Sequence, residues 1–343
     1  MNTNRTTLVV AALLPVRTGL VSIVPASLLC LVTLLVATFA ARPAQAGQVV
    51  FMSQTGNTVG EYNAVTGATI NTAFLSGPNP GGLALDGNNH LFVANHTNNT
   101  VGEYNATTGA TINAAFINGV GSGAPASLAL DGNNHLFVTN AANSTVGEYN
   151  ATTGATINAA LVNGQGLNDP GALAVDALHN LLFVASLGVG NGTVGEYNAT
   201  TGATINASFI TSPGPGAFNP NGGLALGPNN HLFVVDNDQS VVGEYDATTG
   251  AAINAAFITT FSGNGAGLTG VALDGSNHLF TSYGNVVGEF DATTGATVNA
   301  AFISHGGSYL AFASTVPEPS TFVLAGIGFL SLLACIRQRR RRM

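Results

Sequence analysis

Short apolar runs alternate with polar turns along most of the chain, from Val49 to about Ser314. Runs such as LALD, HLFV, TVGEYN and TINAAF are rich in aliphatic or β-branched residues, and Gly, Asn, Asp and Thr fill the turns between them. This alternation predicts short β-strands joined by tight turns. A DGNN turn joins the first two strands of a unit, and Asn-Ala-Thr-Thr-Gly joins the last two, where Gly supplies the positive φ that the turn requires.

The same unit recurs six times. Copies of VGEYNATTGATINAAF carry a shared glutamate every 42 to 48 residues. Four strands in a unit of that length are typical of a β-propeller blade. The Gly- and Ala-rich first strand suits the crowded inner rim of a propeller. The shared glutamates are Glu61, Glu103, Glu148, Glu196, Glu244 and Glu289.

The two ends of the repeat region complement each other. The region begins with three outer strands of a unit, Val49 to Phe74, and ends with a lone first strand, Gly306 to Ser314. Five whole units plus these two fragments make six. We therefore expect an all-β, six-bladed β-propeller over residues 47–315, with four strands per blade, closed by pairing of its N- and C-terminal strands.

The repeated pattern also resembles a known group of proteins. GGLALDGNNHLFVAN at Gly81 and its copies resemble NHL-type repeats and the wider six-bladed group that includes the gluconolactonase-like proteins. The resemblance implies a six-bladed propeller. The gluconolactonase-like enzymes hold a metal at the channel mouth through Glu, Asn and Asp residues. In this chain the loops of the corresponding face contain no glutamate, although Asp236 could substitute for it.

The first 46 residues form a predicted signal peptide. Arg5 and Arg17 precede an apolar core from Leu28 to Ala40, and Ala44 and Ala46 provide small residues for cleavage before Gly47. The alternative is a retained membrane anchor.

The last 28 residues, 316–343, form a second predicted targeting segment. The tripeptide Pro317-Glu318-Pro319 precedes an apolar segment from Phe322 to Ile336, which predicts a C-terminal transmembrane helix shorter than the ~20 residues of a comfortable span. Basic residues after a span favour the cytoplasmic side, which leaves the body outside. The basic cluster contains Arg339, Arg340, Arg341 and Arg342.

These three parts, in this order, resemble the PEP-CTERM sorting signal. That resemblance implies a Gram-negative-type envelope, a transient stage in the inner membrane, processing by an exosortase near Pro-Glu-Pro, and delivery to the outer surface or the exopolysaccharide (biofilm) matrix. The alternative is an ordinary tail anchor.

Charge excludes several functions. Residues 47–315 contain no Lys, Arg or Cys and carry a formal charge of −15. Such a body cannot neutralise nucleic-acid phosphates or clamp a nucleotide, so we expect no nucleic-acid partner. The two cysteines, Cys30 and Cys335, lie in the terminal apolar runs, which leaves no thiol chemistry for the body.

No catalytic or cofactor-binding set emerges from the remaining residues. The shared glutamates are expected to form hydrogen bonds between blades or to turn backbone, since buried carboxylates need partners. One histidine per blade predicts structural residues beside a turn, and the aspartates at the turns are hairpin starters. Asp236 and Asp238 are weak candidates for a calcium ion, because a lone Asp-Asn-Asp lacks a full ligand set. The repeated residues in question are His90, His135, His179, His231, His278, Asp86, Asp131, Asp176 and Asp274.

These observations favour an exported, non-enzymatic propeller that acts as a scaffold or binding module on the cell surface or in the matrix. Its partners would be the export machinery, an exosortase, and polysaccharide or other envelope components. The enzymatic alternative is a metal-dependent lactonase or related hydrolase of the gluconolactonase-like class. Ice or crystal-surface binding by the Thr-rich turns is a further alternative.

Overall fold

Each repeat folds into a four-stranded antiparallel sheet, as the alternation of apolar runs and turns predicts. The computed structural model describes residues 49–313, apart from 78, 121–124, 165, 189–190, 213–216, 260 and 262–266. These residues belong to one compact unit, Ala46–Val316. Over this part of the chain the sheets number six and contain 24 strands, which confirms the predicted six-bladed propeller.

Each blade runs from an innermost strand to an outermost one. In that order, blade I contains β24 (Gly307–Phe312), β1 (Val49–Gln54), β2 (Thr58–Asn63) and β3 (Thr69–Ser76); blade II contains β4 (Pro80–Leu85), β5 (His90–Asn95), β6 (Thr100–Asn105) and β7 (Thr111–Asn118); blade III contains β8 (Pro125–Leu130), β9 (His135–Asn140), β10 (Thr145–Asn150) and β11 (Thr156–Asn163).

The other three blades follow the same order. Blade IV contains β12 (Pro170–Asp176), β13 (Leu181–Ser186), β14 (Thr193–Asn198) and β15 (Thr204–Ile210); blade V contains β16 (Leu224–Leu226), β17 (His231–Asp236), β18 (Val241–Asp246) and β19 (Ala252–Ile258); blade VI contains β20 (Leu268–Leu273), β21 (His278–Tyr283), β22 (Val286–Asp291) and β23 (Thr297–Ile303).

The ring closes where the sequence predicts. Strand β24 pairs antiparallel with β1, with Val50 opposite Phe312 and Met52 opposite Leu310. The Ala313 amide donates to the Val49 carbonyl oxygen at 2.9 Å. The first strand of every blade contacts the first strands of both neighbouring blades, so β4, β8, β12, β16, β20 and β24 form a continuous inner ring.

Meander connectivity gives the propeller two unlike faces. The hairpins that join strands 1–2 and strands 3–4 of each blade lie on one side, which we call the hairpin face. The connections between strands 2 and 3, and those from one blade to the next, lie on the opposite side, which we call the loop face.

The core lies between blades. Phe92 and Phe116 of blade II pack with tilted rings whose centroids are 5.2 Å apart, and they share a core cluster with Leu136 and Val138 of blade III. Every other junction has an equivalent cluster drawn from two successive blades. Because fully burying one such side chain contributes about 1.5–3 kcal/mol, packing of blade against blade holds the ring together.

Blade V departs from the pattern at its inner strand. The sequence predicts a full first strand from Gly222, but β16 contains only three residues. A short 3₁₀ helix (Pro220–Gly222) precedes it, and the Asn219 side chain accepts from the Asn221 amide at the start of that helix. Proline is not the reason, because Pro80, Pro125 and Pro170 begin the full inner strands of blades II, III and IV. In blade V the distance from the proline to the first leucine of the strand is one residue longer, and the 3₁₀ turn accommodates that extra residue.

The two predicted targeting segments, residues 1–46 and 316–343, lie outside the described residues, as does the predicted transmembrane helix. No helix in the described part of the propeller is long and apolar enough to cross a membrane.

Candidate functional site

Histidine lies between two carboxylates on the hairpin face of three blades. In blade II, His90 Nδ1 lies 2.9 Å from Asp86 Oδ2 and 3.6 Å from Glu103 Oε1. The antiparallel register sets His90 opposite Asn105, which makes Glu103 its diagonal neighbour on the same side of the sheet. Equivalent groups are Asp131–His135–Glu148, at 2.7 and 3.9 Å, and Asp274–His278–Glu289, at 3.0 and 3.6 Å.

The other blades hold incomplete versions of this group. In blade IV, His179 Nδ1 lies 2.6 Å from Asp176. In blade V a glycine, Gly227, occupies the aspartate position, and His231 Nδ1 contacts Glu244 directly at 2.8 Å. Blade I has Glu61 but no histidine in the equivalent place, where Val49 begins the strand. The glutamates of blades II, III, V and VI thus lie near a histidine of their own blade, and the distance is that of a hydrogen bond in blade V but not in the other three. The expected hydrogen bonds between blades or to turn backbone stay a prediction.

Burial raises the pKa of several of these glutamates. The pKa of Glu103, Glu148 and Glu289 is raised mainly by desolvation, and the nearby histidine opposes that effect. Desolvation alone raises the pKa of Glu61 and Glu196. Because the body has no Lys or Arg, imidazole is its sole side chain able to place a positive charge beside a carboxylate.

The aspartates of the hairpin face start turns, as predicted. Asp86 Oδ1 accepts from the Asn88 amide at 2.9 Å and from the His90 amide at 2.8 Å. The neighbouring strand 3–4 hairpin is closed in the same way, since Asn105 Oδ1 accepts from the amides of Thr107 and Thr108.

A side-chain hydrogen bond joins the two hairpins of five blades. In blade II, Asn89 Nδ2 donates to Thr107 Oγ1 at 2.9 Å. In blade III, Thr152 Oγ1 donates to Asn134 Oδ1 at 2.6 Å. The polar side chains of these turns are thus occupied by the scaffold itself. The corresponding pairs are Asn180–Thr200, Asn230–Thr248 and Asn277–Thr293.

The calcium candidates lie on the loop face of blade V and are engaged in its turn. Asp236 is buried, and its Oδ1 accepts from the amides of Asn219, Asp238 and Gln239 at 3.1–3.3 Å. Asp238 Oδ1 accepts from Asn219 Nδ2 at 3.3 Å. Asn219, which sequence reasoning missed, connects both aspartates. Among the described residues, no group of three His, Cys, Asp or Glu side chains could hold a metal ion.

Other loop-face residues connect or line neighbouring blades. Asn221 Nδ2 donates to the Asp169 carbonyl oxygen at 3.1 Å, and the Gly171 amide donates to Asn221 Oδ1 at 3.2 Å. His96 follows β5, and burial lowers the pKa of its imidazole, which stays neutral at neutral pH. A side chain at Gly81 would collide with His96 Nε2.

Within the described blades, four buried side-chain atoms have no hydrogen-bond partner, and all four lie on the loop face. They occur at the end of the second strand, in the turn after it, or at the start of the third strand. An unsatisfied buried polar group costs about 1–3 kcal/mol. Such groups in a native fold call for a water, an ion or a ligand. The atoms are His96 Nε2, Thr100 Oγ1, Asn140 Oδ1 and Asn237 Oδ1.

Sequence reasoning did not single out Thr100 or Asn140, because both belong to repeated strand ends. Only the oxygen of Asn140 is without a partner, since its Nδ2 donates to the Val120 carbonyl oxygen. Which of these atoms find a partner depends on residues distant in sequence, which no local motif records. His96 and Asn237 occupy the same position in blades II and V, and the difference between repeats at that position was the available signal.

Comparison with known proteins identifies the tail and the fold. Residues 315–341 match the PEP-CTERM protein-sorting motif. No curated protein sequence matches the chain significantly. The motif marks a bacterial protein that is exported to the cell surface and processed by an exosortase, and it confirms the identification made from residues 317–342.

Three solved structures share the fold. A chain of the nidogen/laminin complex aligns with a TM-score of 0.63 and 15% identity, over 78% of this chain and 99% of that one. A gluconolactonase from Xanthomonas campestris aligns with a TM-score of 0.54 and 16% identity, over 67% of this chain and 78% of that one. The calcium-binding protein regucalcin from Agrobacterium tumefaciens aligns with a TM-score of 0.53 and 14% identity, over 68% of this chain and 78% of that one. At these identities the likeness concerns the fold alone. The chain is a six-bladed β-propeller that carries a PEP-CTERM protein-sorting motif.

Proposed function

We propose that the protein is a non-enzymatic binding module or scaffold of the cell surface or biofilm matrix, and that its partner is an extracellular polysaccharide or another envelope component. The observation that carries this proposal is the pairing on the hairpin face. There the repeated carboxylates and imidazoles contact each other and their own turns, as in Asp86, His90 and Glu103. Groups used in this way stabilise the scaffold and leave the loops for binding.

The export route forms part of the same proposal. Residues 1–46 act as a cleaved signal peptide, and residues 316–343 hold the chain transiently in the inner membrane of a Gram-negative-type envelope until an exosortase processes it. The sorting motif and the likeness to a chain of the nidogen/laminin complex, a protein–protein assembly, support a surface binding role.

A retention assay tests the proposed function. The exported protein is applied to columns bearing extracellular polysaccharide and to a column bearing bovine albumin as the control. We expect retardation on polysaccharide and none on albumin. Recovery of all protein in the unbound fraction of every polysaccharide column would exclude polysaccharide as the partner, and the same result on a column of immobilised bacterial envelope extract would contradict the proposal.

The second candidate function is a metal-dependent lactonase or related hydrolase. The structural likeness to a gluconolactonase and to regucalcin favours it. Asp236 and Asp238 are the acidic side chains on the loop face that would ligate the metal, although both already accept hydrogen bonds from Asn219. Lactone hydrolysis together with stoichiometric metal in the purified protein, both abolished by Asp236→Asn, would replace the first candidate with this one.

A further inference from the structure

The strand 1–2 hairpin of blade IV differs from its copies. In blade II, His90 begins the second strand of the blade, opposite Asn105. In blade IV the hairpin is one residue longer, and Leu181 occupies the same position, opposite Asn198. The additional residue is His179, whose imidazole contacts the turn aspartate at 2.6 Å. The histidine of this blade therefore belongs to the turn, and a leucine takes the strand position beside the glutamate.

This change leaves the glutamate of blade IV without a partner. Glu196 is 7% exposed, and none of the described residues forms a hydrogen bond or an ion pair with its carboxylate. Burial raises the pKa of this carboxyl, and no charged neighbour opposes that effect. The equivalent glutamates of blades II, III, V and VI lie 2.8–3.9 Å from a histidine nitrogen. Because an ionised carboxylate is costly to bury alone, Glu196 is an acceptor that the scaffold leaves unused.

The Glu196 side chain projects toward blade V. Glu196 lies opposite Phe183 in the register of β13 and β14, and residues opposite each other share one side of a sheet. Phe183 belongs to the core cluster between blades IV and V, which also contains Leu232 and Tyr245 of blade V. The carboxylate therefore lies at the junction of these two blades, near the hairpin face.

Aliphatic side chains are accessible at the same junction. Leu181 of blade IV and Leu226 of blade V are partly buried and pack against one core cluster. Gly227 follows in blade V, where blades II, III, IV and VI have an aspartate. In the hairpin of blade IV, Leu178 takes the place of Asn88, since each donates its amide to the aspartate two positions earlier. Leu178 is 87% exposed, the highest value among the large hydrophobic side chains of the described residues.

Charge and shape select the partner. Residues 47–315 carry −15 and contain no Lys or Arg, so a second copy of the propeller cannot supply the missing cation, and the negative field attracts a basic partner. Lysine and arginine carry their charge at the end of an aliphatic stem, which lies along apolar surface while the charged end reaches an acceptor. An amino sugar carries its ammonium directly on a hydroxylated ring. One carboxylate among leucines therefore matches a basic side chain of a protein.

We propose that the junction of blades IV and V on the hairpin face docks a lysine or arginine side chain of a partner protein. Glu196 accepts hydrogen bonds from the charged end, and Leu178, Leu181 and Leu226 contact the aliphatic stem and the apolar residues beside it. This inference goes beyond the proposed function, because it adds a second interaction surface, separate from the loops, and a partner of another chemical class.

The first test selects peptides. A library of random short peptides displayed on phage is depleted on the immobilised Glu196→Gln variant and then selected on the immobilised wild-type protein. We expect the enriched peptides to share a lysine or arginine next to an aliphatic residue. Enrichment of peptides without a basic residue, or no enrichment over several rounds, would overturn the inference.

The second test measures the affinity of the most enriched peptide, made synthetically. Glu196→Gln should weaken binding about tenfold or more, because a hydrogen bond between charged groups is lost. Its melting temperature at pH 7 should be unchanged or higher, since an unpaired buried charge is removed. The matched variant is Glu61→Gln, which removes the other glutamate without a histidine beside it. It should leave binding unchanged; equal weakening by both variants would show attraction by overall charge alone and overturn the site.

The third test alters the leucines. Leu181→His restores the histidine that other blades place beside the glutamate, and Leu178→Asn restores the polar turn. We expect each to weaken binding of the selected peptide severalfold. The matched control is Val65→Asn, since Val65 is 55% exposed in a hairpin of blade I, and this variant should bind as wild type. Wild-type binding by both leucine variants would overturn the role of the aliphatic surface.

The fourth test examines other occupants. Chitosan, an amine-bearing polysaccharide, and a synthetic peptide of residues 336–343, which contains the arginine cluster, compete with the selected peptide for the protein. We expect each to compete no better with wild type than with Glu196→Gln. Competition by chitosan that depends on Glu196 would reassign the site to an amino sugar, and the same result with the peptide would reassign it to the chain's own tail.

Discussion

Replacing Gly109 by alanine should weaken the junction between blades I and II. Gly109 closes the strand 3–4 hairpin of blade II with φ at +68°, and a Cβ there would lie 2.7 Å from the carbonyl oxygen of Phe74 in the outer strand of blade I. Real Cβ atoms essentially never approach this closely, so one of the two blades has to shift. The variant thus combines a backbone cost with a packing cost.

Gly132 separates these two costs. Its φ is +75°, nearly the same as that of Gly109, but a Cβ at Gly132 would meet nothing within 4 Å. Left-handed backbone in a non-glycine residue costs about 1–2 kcal/mol, and forcing extra volume into a packed contact costs roughly 1–3 kcal/mol. We therefore expect Gly132→Ala to lose about 1–2 kcal/mol and Gly109→Ala to lose about 2–5 kcal/mol.

The assay is guanidinium unfolding of the exported protein, followed by far-ultraviolet circular dichroism and tyrosine fluorescence, because the chain contains no tryptophan. Restriction of the unfolded chain by alanine is the same in both variants, so it cancels in their difference. In thermal scans each kcal/mol should lower the Tm by roughly 2–4 °C. Losses that agree within about 0.5 kcal/mol would refute the claim that the glycine is required by contact between blades.

Four further predictions concern acidity, edge protection and closure. Burial raises the pKa of Glu61, so ionisation of this carboxyl opposes folding. Its contribution to stability is therefore fully present below the unfolded-state pKa and is lost as pH rises through the folded-state pKa. Glu61→Gln should unfold at a higher guanidinium concentration than wild type at pH 7 but not near pH 4. Asp291, whose pKa is lowered by hydrogen bonds from threonine side chain and backbone, has the opposite sign: Asp291→Asn should destabilise at pH 7, and the difference should vanish as pH falls through the folded-state pKa. In the outer strand of blade II, Asn113 Oδ1 accepts from the Ala115 amide at a bulge. Asn113→Val leaves that amide free to pair with another chain, so it should increase concentration-dependent association in light scattering. A Cys–Cys pair replacing Met52 and Leu310, which are partners across the closing strands, should raise stability by up to about 5 kcal/mol when oxidised, because it encloses nearly the whole propeller in one loop.

Each of these has a result that would contradict it. A stability difference between Asp291→Asn and wild type that is the same at pH 7 and at low pH would contradict the hydrogen-bond argument. A Glu61→Gln variant that tracks wild type at every pH would remove the desolvation argument. Monodisperse Asn113→Val at high concentration would mean that the bulge alone protects the edge. An oxidised cysteine pair that unfolds with its reduced form would show that the closing strands do not separate early in unfolding.

The periodicity of the sequence was sufficient to predict the number of blades, their four strands and the closure between the two chain ends. Strand patterns and turn residues are local, and six copies of them reinforce one another. The short inner strand of blade V was missed because a 3₁₀ turn, Pro220–Gly222, includes the first residue of a strand motif that otherwise matches its copies. Local departures of this kind are concealed by the regularity of the repeats.

Side-chain partners were harder to predict than strands. The contact of His90 with Glu103 requires the register of strands 2 and 3, which places residues 13 positions apart on one diagonal. The hydrogen bond from Asn140 Nδ2 to the carbonyl oxygen of Val120 requires the approach of blades II and III, since the two residues are 20 positions apart. Both depend on tertiary geometry, so residue type and spacing alone could not establish them.

Charge explains why one face is uniform and the other is not. On the hairpin face each blade partly buries a glutamate, and blades II, III, V and VI each place a histidine beside it, which is the one type of side chain in a propeller without Lys or Arg that can carry a compensating charge. The loop face has no repeated carboxylate and needs no such partner. The residue after the second strand is accordingly free to differ, and selection for a ligand can act on that position in one blade without weakening the other five. From blade I to blade VI it is Thr55, His96, Ala141, Leu187, Asn237 and Gly284.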